Sequence, residues 1–256
     1  MSADSFRQRL LSGECVVGTF QLLDSTMVSE MIGVAGMDFV VYDQEHGPLT
    51  AETTLELSTA AQNEDVAPIV RVRENTESEI QRALDIGTAG VQVPQVETRE
   101  GAEAAVEAAR FSPLGSRGLS QYVRAGDYVG GESYTEDQND ETLLVIQVEG
   151  ERGVENIDEI LQVDGIDVVF LGPYDLSQSL GIPGQVTDDR VEDLMRRVCE
   201  RAAETETVVG AFADDAETAN KWMDAGIQYL TLGVEVGLFT EHLSDVVDDV
   251  DVPRTE

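Results

Sequence analysis

LLVIQVEG at Leu143–Gly150 and DVVFLGPYDLS at Asp167–Ser177 carry two apolar runs of strand length, Leu143–Val148 and Val168–Leu171, each ending in polar residues. Gln147 and Glu149 stand two apart at the end of the first run, so on a strand both point to one side. Asp175 follows the second run behind a Gly-Pro turn. Carboxylates delivered from the ends of neighbouring strands, away from any His or Cys cluster, suit a hard divalent cation with oxygen ligands. Polar strand ends that merely face water are the plain alternative.

Outward from this pair, apolar runs and helical spacings alternate. Cys15–Leu22, Phe39–Tyr42, Pro68–Val72, Gly90–Val96, Val208–Ala213 and Tyr229–Leu232 read as strands. Ser25–Ala35, Ala51–Gln62, Ser78–Leu84, Glu97–Arg110, Val154–Val163, Ser177–Gly181, Asp188–Glu204, Ala216–Ala225 and Leu238–Val247 read as helices. A weak repeat, AGMDFVVYD, IGTAGVQVP, DGIDVVFLG and AGIQYLTLG, places a glycine between a helix and a buried strand, where a left-handed cap is wanted. Eight strand–helix units within 256 residues predict an α/β fold, a single (β/α)8 TIM barrel spanning 1–256. A doubly wound open sheet is the runner-up, but no GxGxxG follows the first strand. The stretch 111–141, rich in Gly, Ser and Tyr, reads as a long functional loop.

Composition narrows the function classes. With 51 acidic against 16 basic residues the formal net charge is −35, spread along the chain. Such a field repels nucleic acid and anionic membranes, and salt would relieve its self-repulsion, as in a halophile's protein. Periodic apolar residues argue against acidic disorder. MSADSFRQRLLSGE lacks a charged-then-apolar leader and no apolar run reaches membrane length, which predicts a cytoplasmic location. Cys15 and Cys199 are expected to be reduced, buried thiols.

In a barrel, chemistry collects where strands end. Those ends offer Gln21, Asp43, Glu45, His46, Arg71, Arg73, Gln95, Gln147, Glu149, Asp175 and Asp214. His46, beside Asp43 and Glu45, is a candidate general base whose tautomer an adjacent carboxylate would fix; the second histidine, His242, falls in the last helix and reads as a surface residue. Arg71 offers a fixed cation for a carboxylate or a developing enolate, unless it only ties down a loop. The single lysine, Lys221, lies inside a helix of the seventh unit, which argues against imine chemistry and leaves a metal to stabilise any carbanion. No GxSxG elbow supports a serine triad.

DQEH at 43–46, IVRV at 69–72, SRG at 116–118, QVE at 147–149 and GPYDLS at 172–177, in this order along nearly the whole chain, resemble the HpcH/HpaI aldolases, the metal-dependent class II pyruvate aldolases. The resemblance implies a divalent metal, Mg²⁺ or Mn²⁺ with Co²⁺ as an alternative, held by Glu149 and Asp175 and completed by waters. It implies that Arg71 stabilises the enolate and that His46 is the acid–base group, oriented by Asp43. It puts Gln147, Gly172, Pro173 and Ser177 at the substrate, and Asp85 in the site of a neighbouring subunit of a hexamer or trimer. The implied reaction cleaves a 4-hydroxy-2-oxo acid reversibly to pyruvate and an aldehyde through a metal-bound enolate. Gln44, Tyr174 and the acidic end of the 111–141 stretch depart from the family pattern and put the aldehyde specificity in question. The alternatives are a CoA-thioester lyase of the citramalyl or malyl-CoA type, which this acidic surface suits poorly, and a non-catalytic barrel that binds an oxo acid.

Overall fold

Buried branched runs recurring between amphipathic helices leave a parallel sheet with two faces to cover, and closing the sheet on itself covers one of them. In the computed structural model, which describes residues 5–250, eight parallel strands form a closed barrel in sequence order. They are β1 (Val16–Gln21), β2 (Phe39–Asp43), β3 (Ala67–Arg71), β4 (Gly90–Val93), β5 (Leu143–Val148), β6 (Val168–Leu171), β7 (Val208–Ala213) and β8 (Tyr229–Val234). The helices are α1 (Phe6–Leu11), α2 (Thr26–Val34), α3 (Ala51–Asn63), α4 (Glu77–Asp85), α5 (Arg99–Ala109), α6 (Tyr134–Glu141), α7 (Glu151–Glu155), α8 (Ile157–Ile160), α9 (Pro173–Ser179), α10 (Asp189–Ala202), α11 (Ala216–Asp224) and α12 (Glu235–Asp248). The repeat glycines Gly36, Gly87, Gly165 and Gly226 all have positive φ, between 75° and 99°, as a left-handed cap requires.

Strand parity builds the interior. Val16, Phe39, Val41, Ile69, Val145, Val168, Phe170, Val208 and Tyr229 pack inside the barrel, while Val70, Val91, Leu144, Ile146, Val169 and Val209 pack against the helices. The rings of Phe39 and Tyr229 stack at 4.2 Å. Glycine at 18 and 210 makes room for them, since an added Cβ would come within 2.6 Å of the Phe39 ring or 2.8 Å of the Tyr229 ring. Below, α1 closes the N-terminal end: Leu10 is fully buried and Arg7 reaches Asp167, which also holds the buried Arg110 at 2.6 Å.

Several expected boundaries move, each for a local reason. β4 stops at Val93, because Pro94 lacks an N–H and Gln95 turns to φ 57°. The helix expected at Val154–Val163 is two short ones, α7 and α8, meeting at Asn156, whose side chain is drawn off to the Glu97 carbonyl at 2.9 Å. The helix expected at Ser177–Gly181 starts earlier, with Pro173 at its first turn. Two helices were not anticipated. α1 is announced by the Ser5–Gln8 capping box, and α6 lies within the 111–141 stretch. Cys15 is exposed rather than buried, because it precedes β1 outside the barrel; Cys199 is half-buried and burial pushes its thiol up to about 11. Among the described residues no helix is long and apolar enough to cross a membrane. The leader reading rests partly on residues 1–4, which lie outside the described residues.

The last helix stands apart. α12 is buried only at Glu235, and Phe239, Leu243, Val246 and Val247 form an exposed stripe at helical spacing. Glu235 anchors its first turn by accepting the amides of Leu22 and Leu23, both at 2.7 Å.

Candidate active site

The inward parity of the strands carries through to the C-terminal rim and decides which side chains meet there. Register pairs Asp43 with Arg71 and Arg71 with Gln92, setting three inward polar side chains side by side on β2, β3 and β4. Gln92 donates to Gln147 of β5 at 2.6 Å, and Gln147 donates to Glu149 at 3.1 Å. A continuous polar arc therefore runs from β2 to β5. It continues into the β6 turn, where an added Cβ on Gly172 would lie 3.0 Å from the Asp175 carboxylate and 3.8 Å from the Glu149 Cβ.

Arg71 is nearly buried and fixed from three sides. Its Nε and Nη2 donate to Asp43 at 3.0 and 2.7 Å, its Nη1 lies 3.3 Å from the Glu45 carboxylate, and its guanidinium sits 4.8 Å above the Phe20 ring. At least two of its five N–H groups remain free for a ligand. Asp43 also accepts the amides of Glu45 and His46, at 3.0 and 3.2 Å. It thus orients the loop bearing His46 through the backbone. The imidazole itself is largely exposed, and its Nε2 lies 3.9 Å from the Glu45 carboxylate.

Glu149 is the group most disturbed by its surroundings. Burial, with Asp175 and Glu45 adding negative charge, pushes its carboxyl up to about 7, although the Gln95 amide and the Gln147 side chain favour the anion. Gln95 also donates its side chain to Glu45 at 3.1 Å, so a residue strained to positive φ ties the two carboxylates together. Such crowding calls for a cation. Among the described residues no three His, Cys, Asp or Glu side chains converge to hold a metal ion, so any ion here would rest on the Glu149–Asp175 pair and on waters. Two carboxylates beside a glycine whose missing Cβ would crowd Asp175 fit an oxygen-loving ion such as Mg²⁺, which keeps several waters.

Asp43, His46, Arg71, Gln147, Gly172, Pro173 and Asp175 line one cavity of about 470 Å³, closed on its other side by Phe20, Leu22, Tyr174, Phe212, Asp214 and Val234. Three expected site residues are not part of this lining; Glu149 is one, joined to it through Gln147. Ser177 is buried and donates to the Tyr174 carbonyl at 2.6 Å while accepting the Gly184 amide, so it shapes the turn after β6. Asp85 sits at the C-terminal end of α4, which runs back toward the N-terminal rim, and is bonded to Arg117 at 2.8 Å. Lys221 is at the surface, paired with Glu192, away from any carbonyl chemistry. Sequence reading missed Gln92, Phe20 and Phe212. Gln92 was hidden within an apolar run, and only its spacing of two from Gly90 hinted that it faces inward.

Residues 17–241 match the family described as HpcH/HpaI aldolase/citrate lyase. The chain is 36% identical over 242 residues to the 2-keto-3-deoxy-L-rhamnonate aldolase of Klebsiella pneumoniae, covering 94% of this chain and 91% of that one. It is 31% identical over 245 residues to the 5-keto-4-deoxy-D-glucarate aldolase of Escherichia coli, covering 94% and 96%. An HpcH/HpaI aldolase/citrate lyase family protein from Burkholderia cenocepacia superposes with a TM-score of 0.92 at 30% identity, covering 98% of this chain and all of that one.

Proposed function

The chain belongs to the HpcH/HpaI aldolase/citrate lyase family, and from that premise we propose that it cleaves a 4-hydroxy-2-oxo acid to pyruvate and an aldehyde at the β-strand rim. The observation that carries this reading is the meeting in one cavity of a pinned arginine, a histidine on the β2 loop and the Asp175 carboxylate, with Glu149 bonded to the lining residue Gln147. Glu149 and Asp175 would hold a divalent cation, Mg²⁺ or Mn²⁺, which supplies Lewis-acid polarisation of the 2-oxo group. The free N–H groups of Arg71 bind the substrate carboxylate and spread the negative charge that develops as the C3–C4 bond breaks. His46 takes the proton from the 4-hydroxyl, so the C4 oxygen becomes the aldehyde carbonyl and the C3–C4 electron pair passes into the enolate. A proton returned to C3 then completes pyruvate.

The assignment extends to assembly and setting. We propose a homo-oligomer, hexamer or trimer, in which Asp85 serves a neighbouring copy; the exposed apolar stripe of α12 supports a second copy as its partner. A cytoplasmic, high-salt setting is supported by the charge of −35.

The test is pyruvate release from a panel of 4-hydroxy-2-oxo acids in high salt, with Mg²⁺ or Mn²⁺ added and again after EDTA. Release that needs the metal and disappears in Glu149→Gln supports the aldolase. Intact substrates with a folded, metal-loaded protein overturn it.

A further inference from the structure

Gln92 is a buried amide at a place where an apolar side chain would pack. Val91 and Val93 beside it on β4 are apolar and fully buried, and Gln92 itself has no exposed surface. Its Oε1 is buried and has no hydrogen-bond partner among the described residues. A methionine of similar shape would avoid that orphaned oxygen, so packing and stability do not account for the amide. What the side chain does make is one short bond, from its Nε2 to the Gln147 Oε1 at 2.6 Å.

The direction of that bond is imposed from the other end. As an anion Glu149 only accepts, so Gln147 turns its Nε2 toward it, at 3.1 Å. The Gln147 Oε1 then needs a donor, which Gln92 supplies. A flipped Gln147 would set oxygen against the Glu149 carboxylate and N–H against N–H at Gln92. The same amide stands beside the turn that carries Asp175, since an added Cβ on Gly172 would lie 3.7 Å from its Nε2 and 3.0 Å from the Asp175 carboxylate. The other oxygen of Glu149 accepts the Gln95 amide at 2.5 Å. Each carboxylate oxygen thus takes one donor, which fixes the plane of the group and leaves lone pairs for a cation. Building on the proposed metal site, we infer that Gln92 is a positioning residue for it. By locking the Gln147 amide in one orientation, Gln92 holds Glu149 ready to bind from two hydrogen bonds away.

The experiment measures Mn²⁺ binding to the full chain by calorimetry. Gln92→Met keeps the shape and loses the donor, and it should weaken Mn²⁺ binding about tenfold, the low end for outer partners of a metal ligand. The Mn²⁺ concentration for half-maximal pyruvate release should rise by the same factor. In a Gln147→Met background, Gln92→Met should change the affinity by less than about twofold, because the chain of bonds is already cut. A role in packing alone would give the same loss in both backgrounds. Gln92→Asn, a buried amide too short to reach Gln147, should show the same loss and stands in if Gln92→Met does not fold. Native affinity in a folded Gln92 variant, or equal losses in both backgrounds, overturns the inference while the metal site stands. A native protein that takes up no Mn²⁺ overturns the metal site and the inference together.

Discussion

Arg71 is clamped end-on by Asp43, with Nε and Nη2 on the two carboxylate oxygens at 3.0 and 2.7 Å. The bidentate fork fixes the plane of the guanidinium, and the same Asp43 oxygen that takes Nε also takes the amides of Glu45 and His46. One carboxylate therefore orients both the cation of the site and the loop of its proposed base.

This dual role separates two variants. Arg71→Lys keeps the charge but not the fork, and kcat/KM should fall by about 10²–10³ with the fold intact, the range seen when one preorganised donor is lost. Asp43→Asn removes the bidentate partner of a nearly buried guanidinium and leaves it Glu45 alone, so chemical denaturation should show a loss of about 1–3 kcal/mol as well as lost activity. Equal stability of Asp43→Asn and the native protein would contradict the clamp.

Metal affinity at the proposed site should depend on pH through Glu149. Its carboxyl, pushed up to about 7, must shed a proton before it can bind a cation. Below that pH the apparent affinity for Mn²⁺ should fall about tenfold per unit, and above it the affinity should level off. The sign for the metal-free protein is opposite to that of an ordinary ion-paired acid. A raised carboxyl contributes stability that is full below the usual carboxylate range and is lost as pH rises through about 7. Titrating Mn²⁺ by calorimetry at several pH values reads the first effect, and a flat profile from pH 5 to 8 would remove it (those bounds being about two units below and one above the transition).

The stripe on α12 should carry assembly. Phe239→Asp with Leu243→Asp alters side chains that are 64% and 47% exposed in the single chain, so the barrel should stay folded while the sedimenting mass drops. An unchanged mass would place the subunit contact elsewhere.

Salt should stabilise the protein. Screening relieves the self-repulsion of a charge of −35, so the melting temperature should climb between about 0.1 M and about 2 M KCl, by ~2–4 °C for each kcal/mol of repulsion removed. A melting temperature insensitive to KCl would detach the acidic surface from any high-salt role.

Much of this was legible in the chain itself. The alternation of buried runs and amphipathic segments, punctuated by Gly36, Gly87, Gly165 and Gly226, determines eight βα units, because period and cap chemistry are local properties of the backbone. Strand parity also determines that Asp43, Arg71, Gln147 and Glu149 reach the inner side of one rim, and the run GPYDLS places Asp175 just beyond the next strand. The tertiary structure alone decided their partners. That Asp43 holds Arg71 and the backbone of the His46 loop, that Gln92 joins the polar arc and that Tyr174 meets Asp214 all depend on side chains far apart in sequence. The exposure of the apolar stripe on α12 was equally hidden. Its apolar spacing resembles that of any packed helix, and only the three-dimensional arrangement shows that nothing in the described chain covers it.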